Sequence, residues 1–136
     1  MATTTIHKFS VDDVVFVVTV PAVVRAGSKF STMADVSHAE LRVASEVVKL
    51  GMVSGAAVRF IRKSLGFTAK QLAELLSRGP ETVSHWETGA TPVDRLAWAA
   101  LASLVSERLG EASTTLKTLE AAAHPPRHPR VIELSP

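Results

Sequence analysis

The chain predicts an α+β fold, mainly α with a small β part at the N-terminus: a β-hairpin and one helix, followed by a domain of five further helices. Three observations carry that expectation. Residues 3–24 are rich in Thr, Val, Ile and Phe around the polar break SVDD, Ser10 to Asp13. From residue 37 onward, apolar positions recur at helical spacing and are cut at short intervals by glycine, proline or a capping hydroxyl. The 136 residues include no cysteine, so neither disulfides nor thiolate metal sites hold the fold and burial must do so.

TTTIHKF (Thr3 to Phe9) and VVFVVTV (Val14 to Val20) read as the two strands of the hairpin, with turn residues between them. Val14, Phe16, Val18 and Val20 fall on one strand face, and Val15, Val17 and Thr19 on the other. Apolar residues on both faces call for two coverings. The helix expected over Ser37–Leu50 supplies one; the other is a second subunit, a partner protein or the rest of this chain. Ala26-Gly27-Ser28 reads as a loop. In the helix, Leu41, Ala44, Val47 and Val48 recur on one side, and Gly51 ends it.

Residues 54–108 hold the most information. Ser54 caps a helix with Val58, Ile61 and Leu65 inward, closed by Gly66. Thr68 caps a second, AKQLAELLS, with Leu72, Leu75 and Leu76 inward. Gly79 then takes a cap position and Pro80 the first helical position, where a missing N–H costs nothing. The third helix, PETVSHWE, buries Val83 and Trp86 and ends at Gly89. Thr91-Pro92 repeats the device for a fourth, with Leu96, Ala100, Leu101, Leu104 and Val105 facing the core. A fifth spans Ser113 to Ala122 and offers Leu116 and Leu119. The tail HPPRHPRVIELSP is Pro-rich and non-helical. Its Arg127 and Arg130 are either solvated or set against a nucleic-acid backbone, while Val131 to Leu134 can add a strand to a sheet edge. The expected division is residues 1–50 for partner binding or dimerisation, 51–123 for the helical domain and 124–136 for the tail.

Charge is unevenly spread. Residues 1–50 and 92–136 each balance, five cations against five anions. Residues 51–91 carry Arg59, Arg62, Lys63, Lys70 and Arg78 against Glu74, Glu81 and Glu87, so the whole excess of +2 lies there. That excess points to a polyanion. Ala73 is small where the second helix must pass over the third, and Ser77 to Pro80 fit a helix-turn-helix corner. With Val83 and Trp86 inward, Glu81, Thr82, Ser84 and His85 stay outside. A short polar helix pinned by two apolar anchors is what reading a major groove requires.

LGFTAKQLAELLSRGPETVSHWETGATP resembles the Xre class of lambdoid-repressor helix-turn-helix domains, in the form carried by MqsA-type (YgiT-type) antitoxins, over roughly residues 54–108. The resemblance implies that the third helix is the recognition helix and that Glu81 and His85, with Thr82 and Ser84 beside them, touch bases. It implies that Arg62 pairs with Glu87 to fasten that helix, alongside Val83 and Trp86. Thr68, Thr88 and Thr91 would lie against phosphates, joined by the cations Lys70, Arg78 and Arg95. Glu81 can accept from cytosine N4; His85 can donate to guanine N7 or O6, or accept from an amino group. Ala69 departs from the family, which commonly has Gln after the capping Thr.

VTVPAVVRAGSKF resembles the segment where such antitoxins carry a zinc-binding Cys-x-x-Cys after Val-Pro-Ala. Arg25 and Ser28 stand at the cysteine positions and supply no thiolate, so no metal and no cofactor is expected. His7 and His38 are isolated, and His124 and His128 flank prolines.

These readings together imply a sequence-specific, homodimeric repressor of double-stranded DNA. Two recognition helices about 34 Å apart would address a palindromic operator. By resemblance, the protein is the antitoxin of a type II toxin–antitoxin system that autoregulates its operon, with a toxin protein bound by the N-terminal region. The alternative is a stand-alone regulator, phage-type or accessory, whose N-terminal region dimerises or senses a ligand. An enzyme is not expected: there is no Gly-rich phosphate loop or metal-ligand cluster, and Ser84 and His85, adjacent on a helix, point in different directions. The run Val14 to Val24 is too short for a membrane span and is broken by Pro21, and a cytoplasmic location is expected.

Overall fold

The computed structural model describes residues 3–112 and 115–135. The hairpin forms as its composition dictates. β1 (Thr4–Val11) runs antiparallel to β2 (Val14–Pro21), with Thr4 opposite Pro21 and Val11 opposite Val14. At its tip Asp12 adopts φ +54°, a left-handed conformation that aspartate tolerates better than most residues. Its carboxylate accepts a 2.6 Å hydrogen bond from the Ser54 hydroxyl, tying the tip to the start of the helical region.

After the Pro-rich stretch the chain returns as β5 (Val131–Leu134), parallel to β2 from Val15–Val131 to Val18–Leu134. The sheet order is therefore β1-β2-β5. Edge-strand addition by Val131 to Leu134 is realised, and the edge belongs to the same chain.

Alternation decides which sheet face is inside. Val11, Val14, Phe16, Val18 and Val20 are buried beneath α1 (Met33–Lys49) and α2 (Gly55–Ser64), and Phe9 meets Phe60 of α2 edge-to-face at 6.1 Å. This chain supplies that covering itself. Val15, Val17 and Thr19 on the outer face stay half-open, flanked by exposed Ile6 and Val131. Each of the fully buried aliphatic or Phe side chains contributes about 1.5–3 kcal/mol. One apolar cluster runs from the sheet through α1 and α2 to α5, so both halves share a core.

Several boundaries and facings differ from expectation. The presumed loop Ala26-Gly27-Ser28 is a hairpin of its own: β3 (Val23–Arg25) pairs with β4 (Ser28–Phe30), and only Ala26 and Gly27 turn, both with positive φ. Two left-handed residues match the right-handed twist of flanking strands. α1 begins at Met33 instead of Ser37, because Thr32 caps it by accepting from the Asp35 amide at 3.1 Å. Met33 is 87% exposed, so no apolar periodicity announced that turn.

The helical region follows the expected order: α2, α3 (Ala69–Leu75), α4 (Pro80–Thr88), α5 (Arg95–Leu109) and α6 (Thr115–Ala123). The expected start of the last helix at Ser113 lies outside the described residues. α5 starts at Arg95, not at Thr91-Pro92, because Asp94 is its cap and accepts from the Leu96 amide at 2.8 Å.

Three leucines expected inward face solvent: Leu75 at 58%, Leu96 at 72% and Leu116 at 70% exposure. The buried stripe of α5 is Trp98, Leu101, Ala102 and Val105, a helical face that leaves Leu96 on the far side. α3 is short and buries Leu72 and Ala73, with Leu76 half-buried, which turns Leu75 outward. In α6 the buried residue is Thr118, two positions on from Leu116. α6 packs against α1 and α5 and is received by Gly51, where an added Cβ would lie 2.0 Å from the Ala121 carbonyl oxygen.

Candidate nucleic-acid interface

α3, a tight turn and α4 form the candidate site. Thr68 starts α3 with a reciprocal cap: its hydroxyl accepts from the Gln71 amide at 3.1 Å, and its own amide donates to Gln71 Oε1 at 2.8 Å. Ala69 stands where the resemblance places a glutamine, and Gln71, two residues on, fills a structural role. The Thr-x-x-Gln spacing is the signal that identifies it.

α3 ends in a Schellman motif. The Arg78 amide donates to the Ala73 carbonyl at 2.8 Å and the Ser77 amide to Glu74 at 3.1 Å, placing Ser77 at φ +54°. Gly79 then caps α4 with no side chain in the way, and Pro80 enters at the first turn.

The rear of α4 is held four ways. Val83 and Trp86 are buried. Arg62 grips Glu87 with both ends of its fork, Nε to Oε2 at 2.8 Å and Nη2 to Oε1 at 2.9 Å, while Nη1 donates to the Phe67 carbonyl at 2.9 Å. This is the pairing the resemblance implies. The hydrogen bond to Glu87 holds the Arg62 guanidinium above its usual pKa, against the opposing effect of burial. Lastly, the start of α2 comes so near the end of α4 that a Cβ on Gly55 would sit 2.4 Å from the Trp86 carbonyl oxygen and 2.6 Å from that of Glu87. Only glycine permits this approach.

The front of α4 is open. Glu81, Ser84, His85 and Thr88 fall at i, i+3, i+4 and i+7, one face of the helix, and all four are exposed. Thr82, expected among the base contacts, is half-buried and one step round toward Val83. Among the phosphate candidates, Lys70, Thr91 and Arg95 are exposed. Thr88 turns its hydroxyl onto the His85 carbonyl at 3.3 Å. Arg78 is paired with the Asp94 carboxylate, so it braces the turn against the start of α5 and has only part of its fork free. Asp94 was not among the expected site residues, although an aspartate just before an apolar run is a cap signal.

Ser84 and His85 stand side by side on the open face and share no hydrogen bond in the structure. Arg25 and Ser28, at the positions of the absent cysteines, face each other across the β3–β4 turn, and a guanidinium with a hydroxyl does not make a zinc site. Among the described residues no acidic or histidine cluster is placed to hold a metal ion, and no helix is long and apolar enough to cross a membrane.

Two helices meeting at a glycine-bearing corner, the second braced behind and polar in front, define a helix-turn-helix unit. A family model described as a helix-turn-helix domain matches residues 54–106. No curated protein and no solved structure matches the chain. The domain implies DNA binding, suggests transcriptional regulation and is consistent with a regulator rather than an enzyme.

Proposed function

We propose that the protein is a sequence-specific transcriptional repressor that lays α4 in the major groove of double-stranded DNA and acts as a homodimer on a palindromic operator. The observation that carries this is the division of α4, with Glu87 and the two apolar anchors fixed behind and Glu81, Ser84 and His85 free in front. Phosphate contacts from Thr68, Lys70, Thr91, Arg95 and the free part of Arg78 supply affinity, and the α4 side chains supply selection. A gel-shift titration with the DNA upstream of its own reading frame tests this. Binding to that DNA over a scrambled duplex supports the reading, and equal binding to both refutes it.

We further propose that it is an antitoxin. The support is the resemblance of the Val18–Phe30 segment, together with an N-terminal region that leaves apolar residues in the open: Ile6, Val23, Val24 and Phe30 are 49–63% exposed. Co-expression with the neighbouring reading frame is the test: the antitoxin reading requires a stable complex and relief of toxicity. A second reading, a stand-alone regulator, is favoured by β5, with which this chain fills one edge of its own sheet.

A further inference from the structure

β5 accompanies β2 only as far as Val18, so Thr19 to Pro21 have no strand beside them on that side among the described residues. The missing corner leaves a cleft of about 340 Å³ between the end of β2 and the first half of α1. Thr19 and Pro21 form one wall, backed by buried Val20 and Ala39. Asp35, His38 and Arg42 form the other, at i, i+3 and i+7 along one face of α1.

The charged wall is unevenly satisfied. Asp35 receives the Thr32 hydroxyl at 2.9 Å. His38 and Arg42 have no hydrogen-bond or ion-pair partner among the described residues, and Arg42 is half-buried. A guanidinium offers five donors in a planar fork that matches a carboxylate. Left without a partner at the edge of an apolar-backed cleft, it has its donors available to an anion. Asp35 limits the charge the cleft accepts: a second negative group would lie against its carboxylate. The volume is at the lower end of small-molecule sites.

We propose that this cleft binds a small monocarboxylate with a short apolar body, the carboxylate on the Arg42 fork with His38 beside it, and the body against Thr19 and Pro21. The site lies on β2 and α1 and is independent of whether α4 reads DNA.

Isovalerate is a suitable probe, titrated into the full chain by calorimetry and by amide chemical shifts. The expected result is saturable binding with a Kd of about 1 mM or tighter. The shifts should concentrate on Val18–Pro21 and Asp35–Arg42. Isovaleramide, which lacks the charge, and inorganic phosphate, which lacks the body and carries more charge, should each bind at least about tenfold more weakly. Arg42→Gln should weaken isovalerate by a similar factor, and Arg59→Gln on α2 should leave it unchanged. The shift map on the unaltered chain locates the site even if Arg42→Gln proves unstable. No saturation by about 10 mM, shifts elsewhere, an equal response in Arg42→Gln, or phosphate binding as tightly as isovalerate would each overturn the proposal.

Discussion

Removing the Arg62 guanidinium should destabilise the support of α4 far more than removing both members of its pair. The two side chains are only 12% and 10% exposed, so water screens them little. In Arg62→Met, Glu87 keeps a nearly buried charge with no partner and the Phe67 carbonyl loses its donor. Breaking one side of such a pair costs about 3–5 kcal/mol, whereas replacing both with apolar groups of similar size is close to neutral. Arg62→Met and Glu87→Met should therefore each lose about 3 kcal/mol, the double variant about 1 kcal/mol or less, with a coupling energy of several kcal/mol. Urea unfolding followed by tryptophan fluorescence reads this directly, because Trp86 and Trp98 are both buried. With a urea slope of about 1.5 kcal/mol/M, each single variant shifts the midpoint down by about 2 M. Single losses below about 1 kcal/mol that simply add in the double variant would refute the reasoning. They would mean that the pair is two solvated charges and that α4 is held by its apolar anchors alone.

Three further variants probe the local arguments. Ser77→Gly relieves a left-handed residue in the turn before α4 and should raise stability by about 0.5–1 kcal/mol in the same urea assay. Gly55→Ala pushes a methyl group into two backbone oxygens and should cost about 1–3 kcal/mol; an unchanged midpoint would mean that α2 and α4 can separate freely. Lys70→Ala should weaken DNA binding about evenly across sequences and reduce the salt slope by about 1, measured by binding isotherms at several salt concentrations.

Much of the helical domain was legible because its punctuation is local. Ser54, Thr68, Gly79-Pro80 and Gly89 each act through the nearest turn of backbone, and the structure uses them where the sequence places them. The misread positions are those where a competing local signal was stronger than the one chosen. Asp94 supplies a better-placed side-chain cap than Thr91, and Thr32 caps α1 one turn ahead of the expected start, so these two set the helix starts. Leu75 and Leu116 lie in short helices, which carry little periodic information, and Leu96 stands in the first turn of α5, ahead of that helix's buried stripe.

Contacts distant in sequence were the least accessible. Ser54 with Asp12, and Gly55 against the carbonyls of Trp86 and Glu87, depend on how whole elements stack. The Arg62–Glu87 pair is also distant, and it came from a motif resemblance rather than from spacing. β5 was readable as a strand but its edge was not, since a four-residue strand with three apolar side chains fits any open ladder.

The most direct test of α4 as a groove reader is a selection of preferred duplexes from a randomised pool, run in parallel on the unaltered chain and on His85→Ala. His85 is exposed and supports none of the core packing, so the variant should keep its unfolding midpoint. Reading by α4 gives a two-fold symmetric preferred sequence whose half-sites are centred about one helical turn apart. In His85→Ala, one or two base pairs per half-site lose their preference, at about 1–3 kcal/mol each. Identical preferred sequences from both proteins, or none from either, would contradict it.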